Sequence, residues 1–305
     1  MAHLTNPLAT PAQLYNLTSL SSLPQDVQEG LFIATQCLTQ AAGVLLELPQ
    51  SITAQANVIL ARYWLIESLM AHEFSHVSAA CIFIVSKMGP IPRSPRDISN
   101  VYGYLASRDS ALFRTEPTTT NDPKSYYQSE VDHYRFHKDI LTLEPRILYA
   151  ISFDTHVSLP HPLAITYLQT LDFLAQPKDQ MSKRVVQYLN TALLSPQLLY
   201  LTHQPNALAT AAIYAAARDI GAKMPESAWW EVFDVDREEL GFLVVAYRSL
   251  EGWMRVRKEE MPWVTEGVVT RQTVRAELKK NGLTIGSEDQ VVDEEHAMME
   301  MLDKR

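Results

Sequence analysis

The chain has 305 residues, enough for two hydrophobic cores, with 47% apolar and 20% charged residues, the composition of an ordinary globular protein. Ten glycines among many alanines and leucines favour helices over hairpin-rich sheets, because glycine is what tight turns and bulges need most. A net charge of −9 argues against a protein built around phosphate-backbone binding, so no direct nucleic-acid contact is expected.

The first 22 residues are polar, with Pro7 and Pro11, and read as an extended arm. A first helix is predicted from about Pro24, carrying Leu31, Cys37, Leu38, Ala41, Val44 and Leu45 at steps of three and four and ending at Pro49. A second opens at Ser51, a third runs from about His72 to Lys87, and a fourth starts at Ser94-Pro95. Residues 108–128 lack periodicity and read as a loop, and a fifth helix covers about 129–151. After Pro160 and Pro162 the pattern restarts, with helices at about 162–176, 180–194, 205–220, 226–233 and 236–253. One more helix is predicted at 271–280, followed by an acidic tail that reads as peripheral.

The segments HVSAACIFIVSK (76–87) and ALATAAIYAAAR (207–218) match in character at Ala80 with Ala211, Ile82 with Ile213, Phe83 with Tyr214 and Lys87 with Arg218. Helices this apolar have no face suited to water and must be surrounded by others, while their small side chains let neighbours approach closely. The chain is therefore expected to be all-α, one five-helix unit written twice. Cys37 and Cys81 sit inside apolar helical patterns and read as buried reduced thiols of an intracellular protein. No secretory signal and no run of 18 apolar residues is visible, so no membrane span is expected and a cytosolic or nuclear protein is.

Five helices around an apolar third, in tandem, resembles the cyclin box. ILARYWLIES with HVSAACIFIVSK resembles the second and third helices of a first box, and TLEPRILYAISFD the end of its fifth. LPQSITAQANVILARYW, RSPRDISNVY and HPLAITYLQTL resemble the cyclin L group more than the K, T and C types. The resemblance implies two tandem five-helix cyclin boxes, at 23–158 and 159–254, flanked by the arm 1–22 and an extension 255–305. It also implies a regulatory subunit, with no catalysis of its own, for a cyclin-dependent kinase of PITSLRE type in nuclear transcription and pre-mRNA splicing. The resemblance leaves room for a third splicing or transcription protein as a further partner, without deciding whether one is needed. By position in the family, Lys87 and Glu144 supply the fixed charges of the kinase-binding face, with Ile84, Met88, Leu148 and Phe153 as apolar neighbours. Met88-Gly89-Pro90 stands where many cyclins carry an aromatic and two acids, and the Arg/Ser-rich tail of animal cyclin L is absent from this sequence. LFIATQCLTQ (31–40) lacks the substrate-docking pattern of cell-cycle cyclins, so docking of that kind is not expected.

Two other functions compete. A scaffold of TFIIB type shares the fold, but two cysteines cannot build its zinc ribbon and the acidic charge does not suit its basic surface. HEFSH (72–76) matches H-E-x-x-H, with His133 and His137 at the same spacing, which raises a zinc metalloprotease. No third ligand and no glycine turn follows, so neither a metal nor a cofactor is expected. Phosphate-binding loops, the hydrolase elbow and kinase catalytic strings are absent from the sequence.

Overall fold

The computed structural model describes residues 5–20, 23–107, 110, 126–173 and 178–282, and these contain helices and turns without a strand. The α-helices are α1 Pro11–Leu20, α2 Gln25–Leu45, α3 Gln50–Trp64, α4 Phe74–Met88, α5 Pro95–Ala106 and α6 Glu130–Ala150. Then follow α7 Pro160–Thr170, α8 Lys178–Leu193, α9 Leu199–Thr202, α10 Pro205–Ile220, α11 Arg237–Glu260 and α12 Arg271–Lys280. Short 3-10 turns occupy Trp229–Phe233 and Pro262–Val264. Among the described residues no helix is long and apolar enough to cross a membrane.

Helix α4 is the axle of the first unit: α2, α3, α5 and α6 all pack against it, and every residue from Val77 to Ser86 is buried. Helix α10 has the same place in the second, wrapped by α7, α8, α11 and the 3-10 turn. Its alanines are fully buried from Ala209 to Ala217 wherever they occur, while Tyr214 reaches the edge of the sheath. The buried serines of the first axle, Ser78 and Ser86, are satisfied internally, Ser86 Oγ by the Phe83 carbonyl at 3.2 Å. Ser78 Oγ lies 2.6 Å from both Thr39 Oγ1 and Tyr102 Oη, a buried relay that closes on the Thr35 carbonyl. Unpartnered, such hydroxyls would each cost about 1–3 kcal/mol.

The two units are joined by specific hydrogen bonds. Arg62 Nη1 donates to the carbonyls of Asp154 and His156 at 3.1 and 3.0 Å, and Gln55 Nε2 to that of Thr155 at 2.7 Å, so α3 fixes the connecting segment. Asn190 of α8 accepts from Gln50 Nε2 at 3.1 Å and lies 2.9 Å from His161 Nε2.

Several expectations change. The N-terminal segment is not extended throughout: α1 forms because Thr10 and Gln13 make a reciprocal cap and Pro11 sits at the first helical position. Asn6 exchanges two hydrogen bonds with Ser158 and two with Gln204, pinning this arm across the junction of the two units. Helix α7 stops at Thr170, short of residue 176, where Asp172 turns left-handed at φ 58°. The stretch 226–233 forms only a 3-10 turn, and α11 continues past residue 253 to Glu260, halted by Pro262. Cys81 is buried as expected, but Cys37 is only partly so. The loop 108–128 and the acidic tail lie largely outside the described residues.

Candidate protein-interaction site

Helix α4 ends in Lys87 and Met88, and the chain must then leave the helix tightly. Gly89 caps it in an extended conformation, and a Cβ there would lie 2.7 Å from Ile52 Cδ1, so any larger residue would push the tip of that side chain aside. Pro90, Ile91 and Pro92 follow as an exposed apolar turn. Helix α6 crosses α4 and brings Glu144 to Lys87, with Nζ to Oε1 at 2.9 Å. The glutamate side chain is only 15% exposed while the lysine stands out at 57%, so the acid is fixed and the cation projects. Lys87 Nζ also lies 5.4 Å from the centroid of Phe83, a cation–π contact that holds the side chain on its own helix.

The expected apolar neighbours divide. Met88 is 53% exposed and Phe153 is 59% exposed, while Leu148 is partly buried against the core. Ile84 is a correction: at 2% exposure it lies beneath the sheath and offers no side-chain surface, because three residues before Lys87 the helix still turns toward its neighbours. Ile91 supplies exposed apolar area at this corner instead. Sequence reasoning also missed Tyr149, one turn before Phe153; its position in α6 beside Glu144 and Leu148 was the available signal.

Phe153 does not belong to α6, which ends at Ala150. Ser152 and Phe153 are both left-handed, with φ of 53° and 58°, and Phe153 N donates to the Leu148 carbonyl at 2.7 Å. For non-glycine residues this conformation costs about 1–2 kcal/mol each. The turn throws the Phe153 ring outward onto the shoulder that carries Tyr149.

The second unit repeats half of this corner. Arg218 sits over Tyr214 at 5.9 Å, as Lys87 does over Phe83, so the aligned pairs share one geometry. The acid–base pairing differs. Asp219, at the end of α10, accepts from Arg184 Nη2 and Tyr188 Oη at 2.6 Å, with Arg248 Nη2 at 3.5 Å. Burial raises the Asp219 carboxyl, but the bonds from Tyr188 and Arg184 outweigh it and hold the group below its ordinary value.

The HEFSH segment serves packing. Helix α4 starts at Phe74, so His72 lies outside it and the two histidines do not share a helical face. His72 Nε2 is 3.3 Å from Arg146, His76 Nδ1 is 3.3 Å from Asp139, and Glu73 accepts from the Arg271 amide. His133 and His137 stack on each other, ring centroids 6.1 Å apart. Among the described residues no three His, Cys, Asp or Glu side chains come together as a metal site.

Two tandem helical units, one wrapped round the apolar α4 and the other round the apolar α10, make this a cyclin-fold protein. The structure resembles a chain of the yeast RNA polymerase II CTD kinase complex, with a TM-score of 0.61 at 17% identity over 80% of this chain and 72% of that one. It also resembles a viral cyclin from herpesvirus saimiri, with a TM-score of 0.52 at 14% identity, covering 78% and 94%. In sequence it is 34% identical to a cyclin-L1-like protein of Schizosaccharomyces pombe over 205 residues, covering 67% of this chain and 76% of that protein. Mouse cyclin-L2 is 30% identical over 239 residues, which cover 78% of this chain and 43% of the mouse protein. No family model matches. The match thus spans less than half of the mouse relative's length, and the chain belongs to the cyclin family, among the cyclin L proteins.

Proposed function

We propose that this chain is the regulatory subunit of a cyclin-dependent kinase, of PITSLRE type, acting in nuclear transcription and pre-mRNA splicing, and that it carries no catalytic chemistry itself. The first box, 23–158, is the kinase-binding half. The second, 159–254, with the part of the extension that does not pack on the first box, is left for a third splicing or transcription protein. One observation carries the reading: a half-exposed lysine locked by a nearly buried glutamate, with Met88, Leu148, Tyr149 and Phe153 around it.

Binding surfaces of this kind combine an apolar centre with a few fixed charges whose entropy is spent before the partner arrives. A kinase helix laid across the corner can meet Lys87 and Glu144 with its backbone ends while Met88, Leu148 and Phe153 cover its apolar side. Holding that helix inward lets the kinase's own Lys–Glu pair form and orient ATP. The cyclin L names of the relatives, and the kinase complex that contains the yeast neighbour, support the same reading.

The test is co-expression with a PITSLRE-type kinase and recovery of the pair. Lys87→Glu and Glu144→Lys are each expected to cut recovered kinase at least about tenfold, the loss expected for a desolvated interface charge. Helical content should not change. Wild-type recovery with both variants would remove the kinase-binding assignment.

A further inference from the structure

We infer that residues 261–280 form a clasp that closes over α2, latches on Glu73, and opens without unfolding either box. After α11 the chain turns back across the first box. Met261 Cε and Val264 Cγ2 would lie 3.1 and 3.6 Å from a Cβ placed on Gly30 of α2. A glycine within a buried helix face is unfavourable on propensity grounds. Here it leaves the notch into which Met261 settles.

The clasp then runs along the box through Val269, Val274 and Leu278, all buried. Its helix start is held to a residue 198 positions away in sequence. The Glu73 carboxylate accepts from the Arg271 amide at the start of α12, at 3.3 Å, and Arg271 Nη1 donates to the Ala71 carbonyl at 2.9 Å. A carboxylate at a helix N-terminus satisfies free N–H groups and favours the positive end of the helix dipole. Thus the glutamate of the H-E-x-x-H string, offered by the sequence as a catalytic base, is an anchor of α12.

The clasp is a candidate for independent opening because its helix is short. Helix α12 has ten residues, too few to persist alone. By contrast, α4 and α10 are enclosed on all sides and open only with their boxes. Opening would bare the Gly30 notch of α2 and uncouple the second box's last helix from the start of α4. The inference does not depend on the identity of any kinase.

Hydrogen–deuterium exchange of the full chain tests it. In the wild type the amides of 272–280 should exchange well before those of α4 and α10. Glu73→Gln, which keeps the shape and removes the charge, should speed exchange of 272–280 by about tenfold. Val274→Asp should do so by more, with α4 and α10 unchanged in both variants. Exchange of 272–280 in step with α4, in the wild type or in either variant, overturns the independent clasp. Unchanged exchange in Glu73→Gln overturns the latch.

Discussion

Tyr149 and Phe153 meet edge to face, ring centroids 5.2 Å apart, yet the two residues are 72% and 59% exposed. Two aromatic rings left in water, one of them on a left-handed residue, contribute little to folding. Glycine would satisfy the backbone at 153 at lower cost.

Phe153→Gly therefore separates fold from function. Relief of the left-handed strain should leave stability unchanged or raise it by about 1 kcal/mol, read as a denaturant midpoint. Kinase recovery should fall at least about tenfold, as for a buried interface aromatic. A variant that is both destabilised and fully competent to bind would mean the ring is a packing residue.

Arg62 holds the segment between the boxes. It is a buried guanidinium whose Nη1 serves two carbonyls, with the Asp154 carboxylate 3.8 Å away. Arg62→Met should cost about 2–4 kcal/mol of unfolding free energy, because two carbonyls lose their donor. Chemical denaturation checks the size of the loss, and a change below about 0.5 kcal/mol, the ordinary surface range, would contradict it.

The axles should respond alike. Ala80 and Ala211 are fully buried at aligned positions, with neighbours on every side. Ala80→Leu and Ala211→Leu should each destabilise by about 1–3 kcal/mol through overpacking. Thermal melts of both variants measure this, and tolerance at either position would break the equivalence of the two helices.

Acid should weaken the second box first. Burial pushes both His161 and His203 below the ordinary histidine value of 6.5, despite opposing hydrogen bonds from Asn190 and the Leu199 backbone. Below that pH the unfolded chain binds protons that the folded chain resists. Their contribution is therefore full above pH 6.5 and declines as pH falls beneath it. Denaturant midpoints at neutral and mildly acid pH should show the decline, and His161→Gln with His203→Gln should flatten it.

Much of this architecture could be read locally. The strings 76–87 and 207–218 announce helices with no wet face, and prolines or caps mark most boundaries. The Thr10–Gln13 cap was equally legible, since a threonine followed three residues later by glutamine is a helix-start signal. The stop of α7 was not: nothing in the residues around 170 demands the left-handed turn at Asp172. The end of α11 was misplaced because polar helix formers continue after its apolar pattern fades, and propensity carries them to Pro262.

The sequence by itself determined the tandem all-helical plan, because an apolar axle must be wrapped whatever wraps it. Tertiary structure alone decided which apolar residues remain outside, hiding Ile84 and leaving Met88, Tyr149 and Phe153 exposed. It also decided that Glu73 meets Arg271. Periodicity reports which face of a helix is apolar. Whether a neighbour covers that face depends on contacts between residues nearly 200 positions apart, and no local pattern encodes those.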